Sequence, residues 1–530
     1  MSNDDARVKV EGESSATIPE ILVYSLGTLC NGMAGVTYNL LTPIMVLTLG
    51  MNPVLAGLIM AIKTLWDAFT DPLMATITDN ANTKWGRRRP FILSGGLLMV
   101  VVCVAFWFLI PVGDRAKPNV VKKEVAIEAA AVPAAESVAP AKPATPIKAP
   151  AKTTLWGSLA QGFAALKDTA PEEKRLFLFI TIGLMVIATA QTIFSVPYYA
   201  LGIELSPTYH GRTRVVAYRS IIEKLLGLAG PWYLPFCMLA FFANTVKGAT
   251  WLTVIMAVLS VPAVILASSL THERTKVDKA RKKVAMFTSI GQTLKNKHFL
   301  KIAALYIVIQ LALGLFLQFG LYINIFHVFG GDHELAMKTG AIMTAKVSSV
   351  GTILAMLSIP FITWVCKKFQ KHNALRLALG MMVAGCLLNW VCYVPGRPNL
   401  QYILPFFFSL GISSTYTVLG TLMADVTDID ELNTGSRREG MFGAVMAWMS
   451  KGVGSIQALI AGALLAATGF TAGTDMQTPE TILNMRVMFS FAPAAVLTLA
   501  IFILYRYPLT RERMEEIKQL IADRKAASAS

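Results

Sequence analysis

The sequence has little charge for its length. Only 15% of its 530 residues are Asp, Glu, Lys or Arg, while 54% are hydrophobic. A soluble domain carries roughly 25% charged residues, and a soluble chain of this length would fold as several domains with polar surfaces. The composition therefore excludes an ordinary soluble multidomain enzyme and indicates a membrane protein.

Cysteine and histidine are also scarce, with six residues of each. The cysteines lie in or at the ends of hydrophobic segments without metal-ligand spacing, which predicts buried free thiols. The histidines form no paired ligand motif, whereas a membrane-embedded enzyme would need a nucleophile–base pair or a metal constellation at membrane depth. These features argue against an enzyme and against a bound cofactor.

The formal net charge of +16 raises the question of nucleic acid as a partner. Lys and Arg gather in short loops between apolar runs rather than along one continuous face, so we expect no nucleic acid partner. The N-terminus is acidic and polar up to Pro19 and shows no cleavable signal peptide. The first apolar run is therefore predicted to remain as a transmembrane helix.

Apolar runs long enough to cross a bilayer, at about 20 residues each, recur along the chain. They lie at 21–49, 54–78, 91–112, 176–201, 215–243 and 249–270, then at 300–328, 336–364, 374–395, 400–425, 438–468 and 483–505. Because the runs are too long and too uniformly apolar for barrel strands, they predict an all-α membrane protein. The prediction is twelve transmembrane helices in two six-helix bundles, 21–270 and 300–505.

Basic residues in the short loops predict the orientation. They cluster at 84–89, at 212–214, in the central loop 271–299, at 367–371 and in the tail 506–530, whereas the opposite loops hold chiefly Lys247 and Arg397. Both tails, 1–20 and 506–530, are therefore predicted to be cytoplasmic, in a cell membrane. The outer loop 113–172 contains an Ala/Pro/Lys-rich linker and an amphipathic stretch at 155–166, and we interpret it as an insertion without transport chemistry.

Charged residues inside the predicted spans are costly and usually functional. In the second span Lys63, Asp67 and Asp71 are spaced four residues apart and line one helical face. The two carboxylates suit a small cation such as Na⁺ or a proton, while a salt bridge between Asp67 and Lys63 is the structural alternative.

The fifth and eleventh spans contain further charges. Arg219 and Glu223 lie one turn apart, so that Arg219 either offers its planar fork of donors to a substrate or forms a structural pair with Glu223. Lys451 lies alone in the eleventh span, and the acidic residues of the second span are its candidate partners. The alternative is that Lys451 only extends to an aqueous vestibule.

Two motifs identify a family resemblance. WDAFTDPLM at 66–74 is followed by Asp79 and by KWGRRRP at 84–90, and the second half contains ADVTDID at 424–430 and TGSRREG at 434–440. Together they resemble the glycoside-pentoside-hexuronide:cation symporters, a group of the major facilitator superfamily that includes the melibiose permeases. The resemblance covers nearly the whole chain outside the loop 113–172. It implies the major facilitator fold, with alternating access around a midplane site.

The resemblance also implies roles for individual residues. The cation site would use Asp67, Thr70, Asp71 and Thr192, with Lys451 as the residue that couples the two halves. Substrate would be bound from the fifth helix by Arg219, beside Glu223. The cytoplasmic motif residues, expected to act in gating, are Asp79, Arg87, Arg88, Asp425, Arg437, Arg438 and Glu439.

The chain differs from the melibiose permeases at the positions that bind the sugar. Asn31 and Ser195 stand where those proteins place sugar-binding aspartates, and Tyr199 replaces the aromatic Trp. Loss of both carboxylates removes strong acceptors for sugar hydroxyls, so an anionic sugar fits better than a neutral galactoside. Thr70 replaces an asparagine of the cation site and leaves Na⁺ and H⁺ both open.

These observations predict a symporter that takes up a sugar, glycoside or sugar acid with Na⁺ or H⁺, as a monomer among membrane lipids. The alternative within transport is a cation-coupled lysolipid carrier, since related facilitators move lipids with the same paired aspartates. A non-transporting receptor is a further alternative, against which the acidic residues and Lys451 argue.

Overall fold

The fold is known from a computed structural model. It describes residues 16–113, 157, 160, 170–206, 208–274, 293, 296–330, 333–434, 439–505 and 511–529. The interpretation of loop 113–172, with its stretch 155–166, and most of the central loop 271–299 lie outside these residues.

The described helices fall into two compact units. The first unit contains α1 (Ile18–Leu26), α2 (Thr28–Pro43), α3 (Pro53–Asn80), α4 (Arg89–Leu109), α5 (Pro171–Glu204), α6 (Tyr209–Ala229), α7 (Tyr233–Cys237) and α8 (Thr245–Ser269). The second unit contains α9 (Lys297–Ile323), α10 (His333–Lys368), α11 (Lys371–Cys392), α12 (Leu404–Thr434), α13 (Glu439–Ala467), α14 (Pro479–Tyr505) and α15 (Arg511–Ala529).

Local sequence explains where several helices begin. The side chains of Thr17, Asn52, Thr208, Asn244 and Asn296 each accept a hydrogen bond from a backbone N–H in the first turn of the helix that follows. Such caps satisfy N–H groups that have no partner within the helix.

Ten helical stretches of the described chain are long and apolar enough to cross a membrane. Each falls within one of the predicted spans or extends it by a few residues, which agrees with the all-α membrane fold. The first and fifth predicted spans are helical as well but are not among the ten. The first is divided at Gly27 into α1, of 9 residues, and α2, of 16 residues. The fifth corresponds to α6, whose arginines, Glu223 and Lys224 lower its hydropathy.

The same irregularity occurs in both units. A π-helical turn follows α2 at Ile44–Thr48, and another follows α9 at Asn324–Val328. A glycine comes two residues after each turn, Gly50 with φ of 66° and Gly330. This recurrence is consistent with the internal repeats from which many transporter folds are built.

Close packing fixes α5 within the first unit. A Cβ atom on Gly95 of α4 would lie 2.6 Å from the backbone nitrogen of Phe194 in α5, so only glycine permits this approach. On the other side, Tyr24 of α1 stacks on Tyr198 with ring centroids 4.6 Å apart. The Tyr24 and Tyr198 hydroxyls donate to each other's backbone carbonyl at 3.1 and 2.8 Å. These contacts hold α5 in place between α4 and α1.

Candidate functional site

The two carboxylates of the predicted cation site lie on α3 and have different partners. Asp67 forms an ion pair with Lys63. The Lys63 Nζ is 2.6 Å from Oδ2 of Asp67. Asp71 accepts a hydrogen bond from the Thr192 hydroxyl at 2.8 Å. The salt bridge that was the structural alternative is therefore present, and it involves only one of the two carboxylates.

Thr70 and Thr192 complete this cluster across the α3–α5 contact. Their hydroxyl oxygens are 3.2 Å apart, and Thr192 is buried. One turn earlier on each helix, the Trp66 indole N–H donates to the Thr189 hydroxyl at 2.9 Å. The structure therefore brings Thr70, Asp71 and Thr192 together as a small group of oxygen atoms, the kind of ligand that a hard cation prefers.

The predicted substrate residues of the first unit form a second cluster. The Arg219 guanidinium lies 4.8 Å above the centre of the Tyr199 ring, and its Nε is 3.2 Å from Oε1 of Glu223. The Asn31 amide donates to the Tyr199 hydroxyl at 3.3 Å. Ser195 is half-buried on α5, one turn before Tyr199. The pair of Arg219 and Glu223 that the spacing allowed is thus formed, and both side chains remain partly exposed.

One face of α5 connects the two clusters. Thr192, Ser195 and Tyr199 follow the i, i+3, i+7 spacing of a single helical face. The rise of about 1.5 Å per residue places Tyr199 about 10 Å along the helix from Thr192. A shift of α5 that alters the ion cluster would therefore also move the Tyr199 ring beneath Arg219.

The motif at 84–90 is held by two acidic residues that the sequence did not single out. Arg87 and Arg88 both donate to Glu204 at the end of α5, and Arg88 also donates to Asp79 at 3.2 Å. The Glu273 carboxylate accepts from the backbone N–H groups of Arg87 and Arg88 at 2.9 and 2.7 Å, which caps the start of α4. Glu204 is the last residue of α5, and Glu273 follows α8. In the sequence, only this place at the end of an apolar helix could have indicated that these acids pair with basic loops.

The second motif lies in the second unit. Asp425, which is buried, accepts two hydrogen bonds from the Lys371 ammonium, at 2.8 and 2.7 Å. Arg437 and Arg438 lie outside the described residues, and Glu439 is the first residue of α13. Lys451 lies on α13 and is half-buried.

Comparison with known proteins gives a consistent result. The chain matches the family model described as MFS/sugar transport protein over residues 23–121 and 156–511. It is 23% identical to a glucuronide carrier protein homolog of Escherichia coli (strain K12), over 95% of each chain. It is 22% identical to the putative glycoside/cation symporter YagG of the same organism, over 96% of each chain.

A lipid transporter is also among the similar proteins. The sodium-dependent lysophosphatidylcholine symporter 1-B of Danio rerio is 20% identical and aligns over 99% of this chain and 93% of its own length. Among solved structures, a D-xylose-proton symporter superposes with a TM-score of 0.51 at 13% identity, over 92% of this chain and 97% of that one. An inward-facing bacterial homolog of the lysosomal transporter Spinster reaches 0.56 at 11% identity, over 93% and 96%. At these identities the two structures show the fold alone.

Proposed function

The chain belongs to the MFS/sugar transport protein family, and we propose that it is a secondary active symporter for a sugar, glycoside or sugar acid. Na⁺ or H⁺ would enter with the substrate by alternating access. The observation that supports this proposal most directly is the shared face of α5. It places an oxygen cluster suited to a cation and an arginine–tyrosine cluster suited to a substrate on one rigid element.

The substrate cluster favours a sugar acid. Arg219 offers a planar fork that matches a carboxylate, and a substrate carboxylate would take the position that Glu223 occupies. The Tyr199 ring, 40% exposed, offers a flat apolar face to a sugar ring. Among the described residues no donor reaches Oδ1 of Asn31, which leaves this atom to accept from a sugar hydroxyl. The similarity to a glucuronide carrier homolog agrees with this class of substrate.

The ion cluster supplies the coupling. Asp71, Thr70 and Thr192 would hold the coupling ion, with Asp67 beside them. Lys451 would tie ion occupancy to the contact between the two halves, because an ammonium and a bound cation compete for the same carboxylate oxygens. The motif residues Asp79, Arg87, Arg88, Asp425, Arg437, Arg438 and Glu439 would act at the cytoplasmic gate.

A lysolipid carrier is the second candidate, supported by the similarity to the zebrafish lysophosphatidylcholine symporter. The polar groups around Tyr199 favour a sugar, since an acyl chain has no donor for Oδ1 of Asn31, whereas a sugar hydroxyl has one. For both candidates the activity is transport rather than catalysis. The protein would act as a monomer in the cell membrane, with bundles 21–270 and 300–505 and both termini cytoplasmic.

Proteoliposomes test the proposal directly. Labelled D-glucuronate, D-glucose and lysophosphatidylcholine would be offered in turn under an inward Na⁺ gradient and under an inward proton gradient. We expect glucuronate to accumulate above equilibrium under one of the two gradients. Asp71→Asn should abolish accumulation while leaving exchange of substrate across the membrane, because the carboxylate for the ion is lost and the substrate cluster is not.

Two variants separate the substrate site from a structural pair. Arg219→Ala should weaken glucuronate uptake while ion binding stays measurable. If Arg219→Ala and Glu223→Gln both fail to fold, the two residues form a structural pair and the substrate site lies elsewhere. Accumulation of lysophosphatidylcholine without any sugar would contradict the sugar proposal and favour the lipid candidate.

A further inference from the structure

Arg486 is a charged residue inside the last predicted span, on α14. Its Nη2 donates to the backbone carbonyl of Trp390 on α11 at 3.0 Å, and its guanidinium lies 4.3 Å from the centre of the Trp390 ring. Both contacts are with neutral groups. Among the residues that the structure describes, no carboxylate forms an ion pair with Arg486. A charge without a counter-ion is costly at membrane depth and usually marks a binding function.

The other ionisable group near Arg486 does not compensate its charge. His327 of the π-helical turn Asn324–Val328 is close enough for its charge to interact with that of the guanidinium. Because a histidine is neutral or positive, it cannot neutralise an arginine. The region around Arg486 in the described part of the second unit therefore keeps a net positive charge.

The contact with Trp390 uses only part of the guanidinium. An arginine has five N–H donors, and the Trp390 carbonyl near the end of α11 accepts from one of its nitrogens. Arg486 is half-buried, and none of its nitrogen atoms is both buried and without a partner. The remaining donors therefore reach the surface of the second unit, where a ligand can accept hydrogen bonds from them.

The surface beside Arg486 and Trp390 is apolar on both helices. The Phe491 ring of α14 lies against the Trp390 ring of α11, with centroids 5.5 Å apart. Four large apolar side chains on the neighbouring turns of the two helices are 37% to 60% exposed, namely Val487, Phe491, Leu387 and Val391. The guanidinium thus lies between two helices whose exposed side chains suit the acyl chains of a lipid.

The position of the pair along the helices suits a lipid headgroup. α14 begins at Pro479, and a rise of 1.5 Å per residue places Arg486 about 10 Å from this helix end. Trp390 lies in the last turn of α11, which ends at Cys392. Tryptophan is enriched at the membrane–water interface, and a long basic side chain near a helix end extends toward that interface. We therefore expect the pair to lie near the boundary between headgroups and acyl chains.

We propose that Arg486 and Trp390 form a binding site for an anionic phospholipid. The lipid phosphate accepts hydrogen bonds from the remaining donors of Arg486, and the acyl chains lie on the exposed apolar side chains of α11 and α14. A zwitterionic lipid fits less well, because its cationic group would meet the positive charge of Arg486 and no carboxylate among the described residues. A sugar acid also fits less well, since its hydroxyls would lie against apolar side chains.

Thermal melting of the purified full chain in detergent tests the proposal. Dioleoyl phosphatidylglycerol, dioleoyl phosphatidylcholine and inorganic phosphate would be added separately at equal ionic strength. Binding that multiplies the folding equilibrium about tenfold corresponds to a rise in Tm of about 3–6 °C for a unit of this size. We expect a rise of this size with phosphatidylglycerol, a clearly smaller one with phosphatidylcholine, and none with inorganic phosphate, which has no acyl chains.

Two variants separate lipid binding from a structural role of Arg486. Arg486→Met keeps an apolar side chain but removes the charge and the donors, so the rise with phosphatidylglycerol should be lost. Arg397→Gln is the matched control, because Arg397 is an exposed basic residue in the segment that follows α11 and would share any unspecific attraction to anionic lipid. This control should respond as the wild type does. Native mass spectrometry should find one phosphatidylglycerol fewer on Arg486→Met than on either of them.

Several results would overturn the inference. An equal rise with phosphatidylglycerol in Arg486→Met and in the wild type would show that Arg486 holds no lipid. Equal rises with the two lipids would show that the charge of the headgroup is not recognised, and a rise with inorganic phosphate alone would indicate a site for a free anion. If Arg486→Met does not fold, the wild type decides the question. Its retention of phosphatidylcholine as readily as phosphatidylglycerol from an equal mixture would contradict the proposed site.

Discussion

Glu204 binds two arginines of the motif at 84–90, and Glu204→Gln should destabilise the first unit strongly. Its side chain is 11% exposed, and those of Arg87 and Arg88 are 14% and 9% exposed. The amide of glutamine keeps the shape but removes the charge, so that two largely buried guanidinium groups lose their shared counter-ion. Loss of one partner of a buried ion pair costs about 3–5 kcal/mol.

Asp79 provides a comparison within the same network. Arg88 donates to it at 3.2 Å, but the Asp79 side chain is 52% exposed. Exposed ion pairs contribute only about 0–1 kcal/mol. At about 2–4 °C per kcal/mol for a unit of this size, Glu204→Gln should lower Tm by about 6–20 °C and Asp79→Asn by at most about 4 °C.

Labelling of the buried thiols measures unfolding of the first unit. Cys30, Cys103 and Cys237 of the first unit are fully buried, so a thiol-reactive fluorophore would report their exposure on heating. Wild type, Glu204→Gln and Asp79→Asn would be melted in the same detergent. Equal shifts for the two variants, or a larger shift for Asp79→Asn, would refute the argument that burial sets the strength of this network.

Three further predictions concern Glu20, Gly86 and Ile517. Burial by itself raises the pKa of the Glu20 carboxyl, but the hydrogen bonds from Arg274 and from His272, together with the charge of Arg274, outweigh it and lower the pKa below 4.5. The pair therefore stabilises the fold above that pH and is lost as the pH falls, so Arg274→Met should lower Tm at neutral pH and flatten its decline in acid. Gly86→Ala should lower stability by about 1–3 kcal/mol, because φ is 102° and the new Cβ would lie 2.7 Å from the carboxylate that caps α4. Ile517 is 4% exposed on α15, and Ile517→Asp should release this helix and accelerate trypsin cleavage of the tail, unlike Leu520→Asp at a position that is 45% exposed.

The sequence alone was sufficient for features that depend on short stretches of chain. Hydrophobic run length predicted the all-α membrane fold, because a span must satisfy its own backbone hydrogen bonds. The spacing of four residues predicted that Lys63 could reach Asp67 and that Arg219 could reach Glu223, and both pairs are formed. The break at Gly27 was missed, because the apolar run continues through it.

Only the tertiary structure decided which partner each charged group has. Glu204 meets Arg88 across 116 positions of sequence, and Thr192 meets Asp71 across 121. Asp67 and Asp71 lie one turn apart on the same face of α3, but their contacts differ. An ammonium contacts Asp67, and a hydroxyl donates to Asp71. Helix periodicity determines which side chains share a face, whereas the packing of distant helices determines what that face contacts.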